Sequence, residues 1–124
     1  MSGSPGHVTL HLVPASAWAA WRADPDPAAR YAPPAFAAEG FVHCTDGDEA
    51  MLAIANRFHG EDPETFLVLD VDLGQLDVPW RYDEPGSPYP HVYGPLRRDA
   101  VTAVRAALRD ARGRFVGYGE RSGP

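Results

Sequence analysis

The run Phe66-Leu67-Val68-Leu69-Asp70-Val71-Asp72-Leu73 constrains this chain more than any other stretch. It is apolar on both faces through Leu69 and alternates thereafter, the pattern of a central strand covered on both sides. Such a strand needs hydrogen-bonding neighbours on each edge and a layer over each face, so a sheet is predicted around it. Asp70 and Asp72 share one face at its exit and read as solvated carboxylates, with a metal pair as the alternative.

The remaining elements are read outward from that strand. Val8 to Val13 alternates, with Val8, Leu10 and Leu12 on one face and Thr9, His11 and Val13 on the other. Pro14 ends that strand, and Ser16 is expected to cap a short helix through Arg22 whose apolar side carries Trp18 and Trp21. The proline-rich segment from Ala23 to Glu39 is expected to be a long ordered loop, of the kind that covers sites, or two short turns rather than a regular element. Gly40 can take a positive φ, and Phe41-Val42-His43-Cys44 follows as a short strand with Phe41, His43 and Thr45 on one face. Asp46 and Glu49 match a capping box opening a helix from Asp48 to Phe58, with Gly60 as its stop. Val78 to Tyr82 reads as an edge strand because Pro79 cannot donate, and His91 to Leu96 reads as another short extended piece. Asp99 is expected to start a helix from Ala100 to Arg112, striped by Val101, Val104, Leu108 and Ala111, with Arg97, Arg98, Arg105 and Arg109 mostly solvated. Arg114 to Tyr118 completes the set as a last strand. The sum is a single small α+β domain: a mixed sheet of five or six strands with about three helices, ordered over about residues 8–118 between short flexible ends.

Composition narrows the function. The formal net charge is -6, with Arg and no Lys. That argues against non-specific binding to nucleic acid or an anionic membrane, but allows a compact anionic ligand held by a few Arg or backbone N–H groups. No run of eighteen apolar residues exists and the first residues lack signal-peptide features, so a cytoplasmic protein is expected. The single cysteine, Cys44, cannot form an internal disulfide.

The chain contains no P-loop, Gly-x-Gly-x-x-Gly run, Cys-x-x-Cys or Gly-x-Ser-x-Gly elbow. What it does contain is a constellation: His11, His43 and His91, each on an extended segment among apolar neighbours. A shared site is one reading, with the imidazoles of His11 and His43 opening into one pocket; separate structural roles are the other. Cys44 and His43, adjacent on a strand, point to opposite faces and cannot pair. A three-histidine zinc site fits the count, but none of the three has the close spacing that supplies two ligands from one element, so no stoichiometric metal is expected.

Leu10-His11-Leu12-Val13, Tyr31 with Pro33-Pro34, Glu39-Gly40-Phe41-Val42-His43-Cys44-Thr45, Ala55-Asn56-Arg57-Phe58, Leu67-Val68-Leu69-Asp70-Val71-Asp72 and Pro90-His91-Val92-Tyr93-Gly94-Pro95-Leu96 together resemble the bacterial domain of unknown function 952 family. That family is in turn similar to a reduced ADP-ribosyltransferase core, a fold shared with the RNA 2'-phosphotransferases. The resemblance implies NAD as a candidate cofactor, with His11 at the ribose and His43 on the nicotinamide side. The transferases' later glutamate has no match here, and His91 or Tyr93 lies in that part of the chain. The resulting expectation is a small-molecule transferase or binder of a nucleotide-like or phosphorylated ligand. His43, His11 and His91 are its catalytic candidates, and Tyr93, Thr45, Asn56 and Arg57 its ligand contacts. The rival expectation is a non-catalytic interaction or regulatory module.

Overall fold

A computed structural model describes residues 7–124; the expected flexible start, Ser2 to Gly6, lies outside the described residues. The Phe66–Asp72 strand (β3) is central, as its two apolar faces require. It pairs antiparallel with Val8–Pro14 (β1) on one edge and with Val101–Arg109 (β6) on the other, and β6 also pairs with Phe115–Tyr118 (β7). A second antiparallel sheet is built from Val42–His43 (β2), Trp80–Arg81 (β4) and His91–Val92 (β5), in the order β2-β5-β4. The described residues therefore fold into two antiparallel sheets of four and three strands with three α-helices, where a single mixed sheet was expected.

Each face of the large sheet has its own cover. Helix Asp48–His59 (α3) lays Met51 and Ala55 over Leu10, Val68, Phe66 and Phe115. On the other face, helix Ala15–Ala23 (α1) brings Trp18 and Trp21, and the small sheet brings Val42 and Val92, against Val13, Leu69, Val71 and Val104. Burial of these apolar surfaces, at about 25 cal/mol per Å², is the main force holding the layers together. The sheets are stitched where Leu10 and Thr45 exchange backbone bonds of 2.9 and 2.8 Å.

The largest departure from expectation is β6, which replaces the helix predicted over Ala100 to Arg112. Val101 pairs with Val71 and Ala103 with Asp70, so Thr102 is an extra residue bulged out of the ladder. The bulge puts Val101 and Val104 on the same buried face although they are three apart, which counterfeits helical spacing. Pairing on both edges then overrides the helix propensity of the alanines. Asp110 and Gly113, φ +84°, close the β6–β7 hairpin, with Asp110 accepting bonds from Arg112 and Arg114 backbone N–H groups.

Other local readings also change. Ser16 does not cap α1, which follows Pro14 directly. Asp46 does not cap α3 either: Gly47 at φ +91° precedes that helix, and Asp46 accepts the Tyr82 hydroxyl at 2.5 Å. Asp70 is not solvated but 6% exposed, bonded to Arg121 at 2.8 Å and 3.7 Å from Arg105. Arg105, placed on a solvated face by the helix reading, is 4% exposed and forks onto Asp48 at 2.8 and 3.0 Å. Beyond Tyr118, Ser122 exchanges two 2.9 Å backbone bonds with Val104.

Arg109 was likewise expected to be solvated. Its guanidinium instead donates to the carbonyls of Gly60, Asp62, Glu64 and Gly113 and lies 3.9 Å over the Phe115 ring. One cation thus holds the α3–β3 connection against the β6–β7 hairpin. Arg109→Met keeps the apolar stem and removes every donor. It is expected to cost about 2 kcal/mol and to lower the melting temperature by roughly 8 °C in a thermal melt. A shift under ~2 °C would show the clamp to be dispensable.

Candidate functional site

The small sheet sets the site. Antiparallel register places His43 opposite His91 and His91 opposite Arg81, while Val42, Val92 and Trp80 form the adjacent row. Val42 and Val92 are fully buried, so alternation turns His43, His91 and Arg81 to the outer face. Tyr93, two residues after His91, joins that face. Phe41 completes it by stacking on His91 at 4.0 Å and 18°, with its ring 4.7 Å from His43 and 5.6 Å from Tyr93. Gly40, φ +82°, ends the short helix Phe36–Glu39 (α2) and turns the chain into β2, a conformation a side chain would strain.

Two carboxylates hold the two imidazoles. Glu39 Oε1 lies 3.1 Å from His43 Nε2, and Asp83 Oδ2 lies 2.7 Å from His91 Nδ1. Asp83 also accepts the Tyr93 hydroxyl and, at 2.7 Å, Arg81 Nε. Those donors, Tyr93 first, hold the Asp83 carboxyl down at about 2, so it is an anion across the neutral range. That anion accepts a hydrogen bond from His91 Nδ1–H and leaves Nε2 with no hydrogen-bond partner among the described residues. Arg81 stacks 4.2 Å over Tyr93 and closes that side. Beside the pair lies a hollow of about 170 Å³ lined by Asp83, Glu84, Ser87, Tyr89 and His91.

His11 is not on this face. It is 5% exposed, and its Nδ1 bonds the backbone carbonyl of His43 at 2.8 Å. Burial lowers its pKa below the ordinary value, outweighing that bond, so it is a neutral ring fastening β1 beneath β2. The expected pocket shared by the His11 and His43 imidazoles is therefore absent among the described residues. No group of three His, Cys, Asp or Glu side chains converges on a point that could hold a metal there either, and the three-histidine arrangement fails because His11 faces inward. Thr45 is 4% exposed and used by its backbone. Asn56 bonds both the N–H and the carbonyl of Phe115, at 2.8 and 2.9 Å, tying α3 to β7. Arg57 lies 5.2 Å over Phe58, also on α3.

The structure thus brings together His43, His91 and Tyr93, with Phe41, and adds Glu39, Arg81 and Asp83. Sequence reading assigned no role to those three charged groups. Arg81 and Asp83 flank Tyr82 two residues apart, just before the Glu84-Pro85-Gly86 turn and the His91 strand. That proximity of opposite charges to a histidine strand was the available signal.

Cys44 points the other way, 1% exposed, with burial pushing its thiol up to about 12. It is expected to react with a thiol reagent such as DTNB only on unfolding. Complete labelling of the native protein within minutes would contradict this placement.

An α+β domain with a small antiparallel sheet bearing two carboxylate-held histidines is the class defined by these features. Residues 12–104 match the model for the protein of unknown function family DUF952, and the chain belongs to that family. Crystal structures of protein CC0527 from Caulobacter crescentus, one of a double mutant, are 25% identical, with a TM-score of 0.66 over 89% of this chain and 94% of that one. Its solution NMR structure matches at 24% identity and a TM-score of 0.65, over 86% of this chain and 89% of that one. No curated protein matches. Among the described residues, no helix is long and apolar enough to cross a membrane.

Proposed function

We propose that the outer face of the small sheet binds a small nucleotide-like or phosphorylated ligand of the NAD or ADP-ribose type, with His91 and His43 as its hydrogen-bonding and acid–base groups. The observation that carries this reading is the Asp83–His91 pair: a charged carboxylate fixes Nδ1–H and leaves Nε2, with no partner among the described residues, beside a second imidazole whose ring is 5.4 Å away. Phe41 and Tyr93 offer ring surface to a base or nicotinamide, and the imidazoles offer donors and acceptors to ribose hydroxyls or phosphate oxygens. In transfer from an NAD-type donor to a hydroxyl acceptor, His91 Nε2 would take the acceptor's proton as its oxygen bonds the ribose C1' and nicotinamide leaves with the electrons of the C1'–N bond, a role of about 10²–10⁴-fold in rate. The resemblance to ADP-ribosyltransferases supports the ligand class. Within it, His43 and His91 work at the ligand while His11 sets the backbone under His43.

One observation favours the alternative of a non-catalytic interaction module: the hollow of about 170 Å³ is smaller than the ~300 Å³ at which ligand pockets begin. A thermal-shift screen with ADP-ribose, NAD and nucleoside monophosphates separates the two. A bound small ligand at 100 times its Kd stabilises by about 2.7 kcal/mol, a rise of roughly 10 °C. Silence from every compound would favour the interaction module.

A further inference from the structure

A second concavity lies apart from the residues of the histidine face. It holds about 300 Å³ and is lined by Pro27, Ala28, Arg30, Arg97, Arg98 and Asp99. The backbone itself assembles its cations. Tyr31 and Leu96 exchange both backbone bonds, at 3.0 and 2.7 Å, in an antiparallel bridge, so Arg30 before Tyr31 and Arg97 after Leu96 come to lie opposite one another. Leu96 is fully buried and Tyr31 stacks on Trp21 at 5.4 Å, which turns their two neighbours outward. Like charges facing each other across a strand pair are destabilising, and this chain has an acidic balance that could have supplied an opposite charge at either position.

Local carboxylates meet two of the three guanidiniums. Asp77 takes Arg30 through two 2.6 Å bonds, and Asp99 takes Arg97 at 3.1 Å. Arg98 differs. Among the described residues it has no carboxylate partner, its Nε is buried with no hydrogen bond, and its guanidinium is placed 5.9 Å over the Trp18 ring. A planar guanidinium over Trp18 with no carboxylate partner among the described residues, beside a second fork held by one exposed carboxylate, is the recognition element for a tetrahedral oxyanion.

We propose that this concavity is a binding site for a small phosphate-bearing anion of the phosphomonoester or pyrophosphate class, gripped by Arg98 and Arg97 with Arg30 at the rim. Asp99 is its gatekeeper, because its carboxylate competes with the ligand for Arg97. The site is independent of the histidine face. The overall negative charge confines it to small anions, since a nucleic-acid backbone would meet repulsion outside the cleft.

Calorimetric titration of the full chain with inorganic pyrophosphate in chloride buffer tests this. Wild type is expected to bind one pyrophosphate saturably. Arg98→Gln is expected to weaken binding at least ~10-fold, and Asp99→Asn to tighten it several-fold by freeing Arg97. The opposite signs of the two variants separate a built site from diffuse charge attraction. If Arg98→Gln melts well below wild type, Arg97→Gln, on a partly exposed side chain, replaces it with the same expected loss. Absence of saturable binding by wild type overturns the proposal, as does an affinity unmoved by both the arginine and the Asp99 variants. Loss of pyrophosphate binding in His91→Asn would place the anion on the histidine face and overturn it equally.

Discussion

Replacing Arg105 by methionine is expected to lower the melting temperature by about 10 °C, through loss of roughly 3 kcal/mol. Arg105 is 4% exposed and satisfies Asp48 through two bonds while lying 3.7 Å from Asp70. Its plane also stacks 4.2 Å from the Tyr118 ring. Removing it takes one of two cations from Asp70, which is 6% exposed and already holds one oxygen without a hydrogen bond. Asp48 is half-exposed and can return to water, and Asp70 keeps Arg121, so the cost falls at the lower end for a broken buried pair. Because the penalty comes from a buried carboxylate left with fewer cations, adding Asp70→Leu to Arg105→Met should restore most of the loss. A double variant no more stable than the single one would assign the loss to packing instead.

Asp83→Asn is expected to abolish the acid–base role proposed for His91 while leaving the fold nearly untouched. Asp83 lies at an exposed edge, where removing an ion pair changes stability little. Its effect on His91 is larger. An amide can present N–H to Nδ1, which lets the proton move to Nε2 and turns the free acceptor into a donor. For any ligand whose binding or turnover uses Nε2 as acceptor, the loss should be on the order of 10²-fold, with a melting temperature within a few degrees of wild type. The carboxyl is depressed, so its contribution to stability is present above an unfolded pKa of ~3.9. That contribution is lost as pH falls through about 2. The pair therefore stays intact throughout the range where function would be assayed.

How much of this was legible depended on whether the relevant contact was local. β1, β3, α3 and β7 were readable because period-2 or helical spacing survives in their sequences. β6 was not, because the Thr102 bulge shifts its apolar positions to a spacing of three and its alanines favour helix. The fate of Arg105 and Arg109 followed from that error, since a strand sends them inward where a helix sends them to solvent. His43 and His91 were visible as strand histidines, and the opposite facing of Cys44 followed from alternation alone. Their carboxylates were not visible: Glu39 reaches His43 across a glycine turn, and Asp83 reaches His91 across a loop holding three prolines. The inward facing of His11 depends on which side of β1 the small sheet occupies, which no local pattern records.

The claim that ligand binds at His43 and His91 is tested most directly by nitrogen-15 NMR of the histidine rings during titration with ADP-ribose. Saturable shifts at the ring nitrogens of His43 and His91, with His59 unmoved at the far end of α3, are the result expected. Ring nitrogens of His43 and His91 that stay fixed, or that move no more than those of His59, while ADP-ribose is carried to saturating concentration would contradict it.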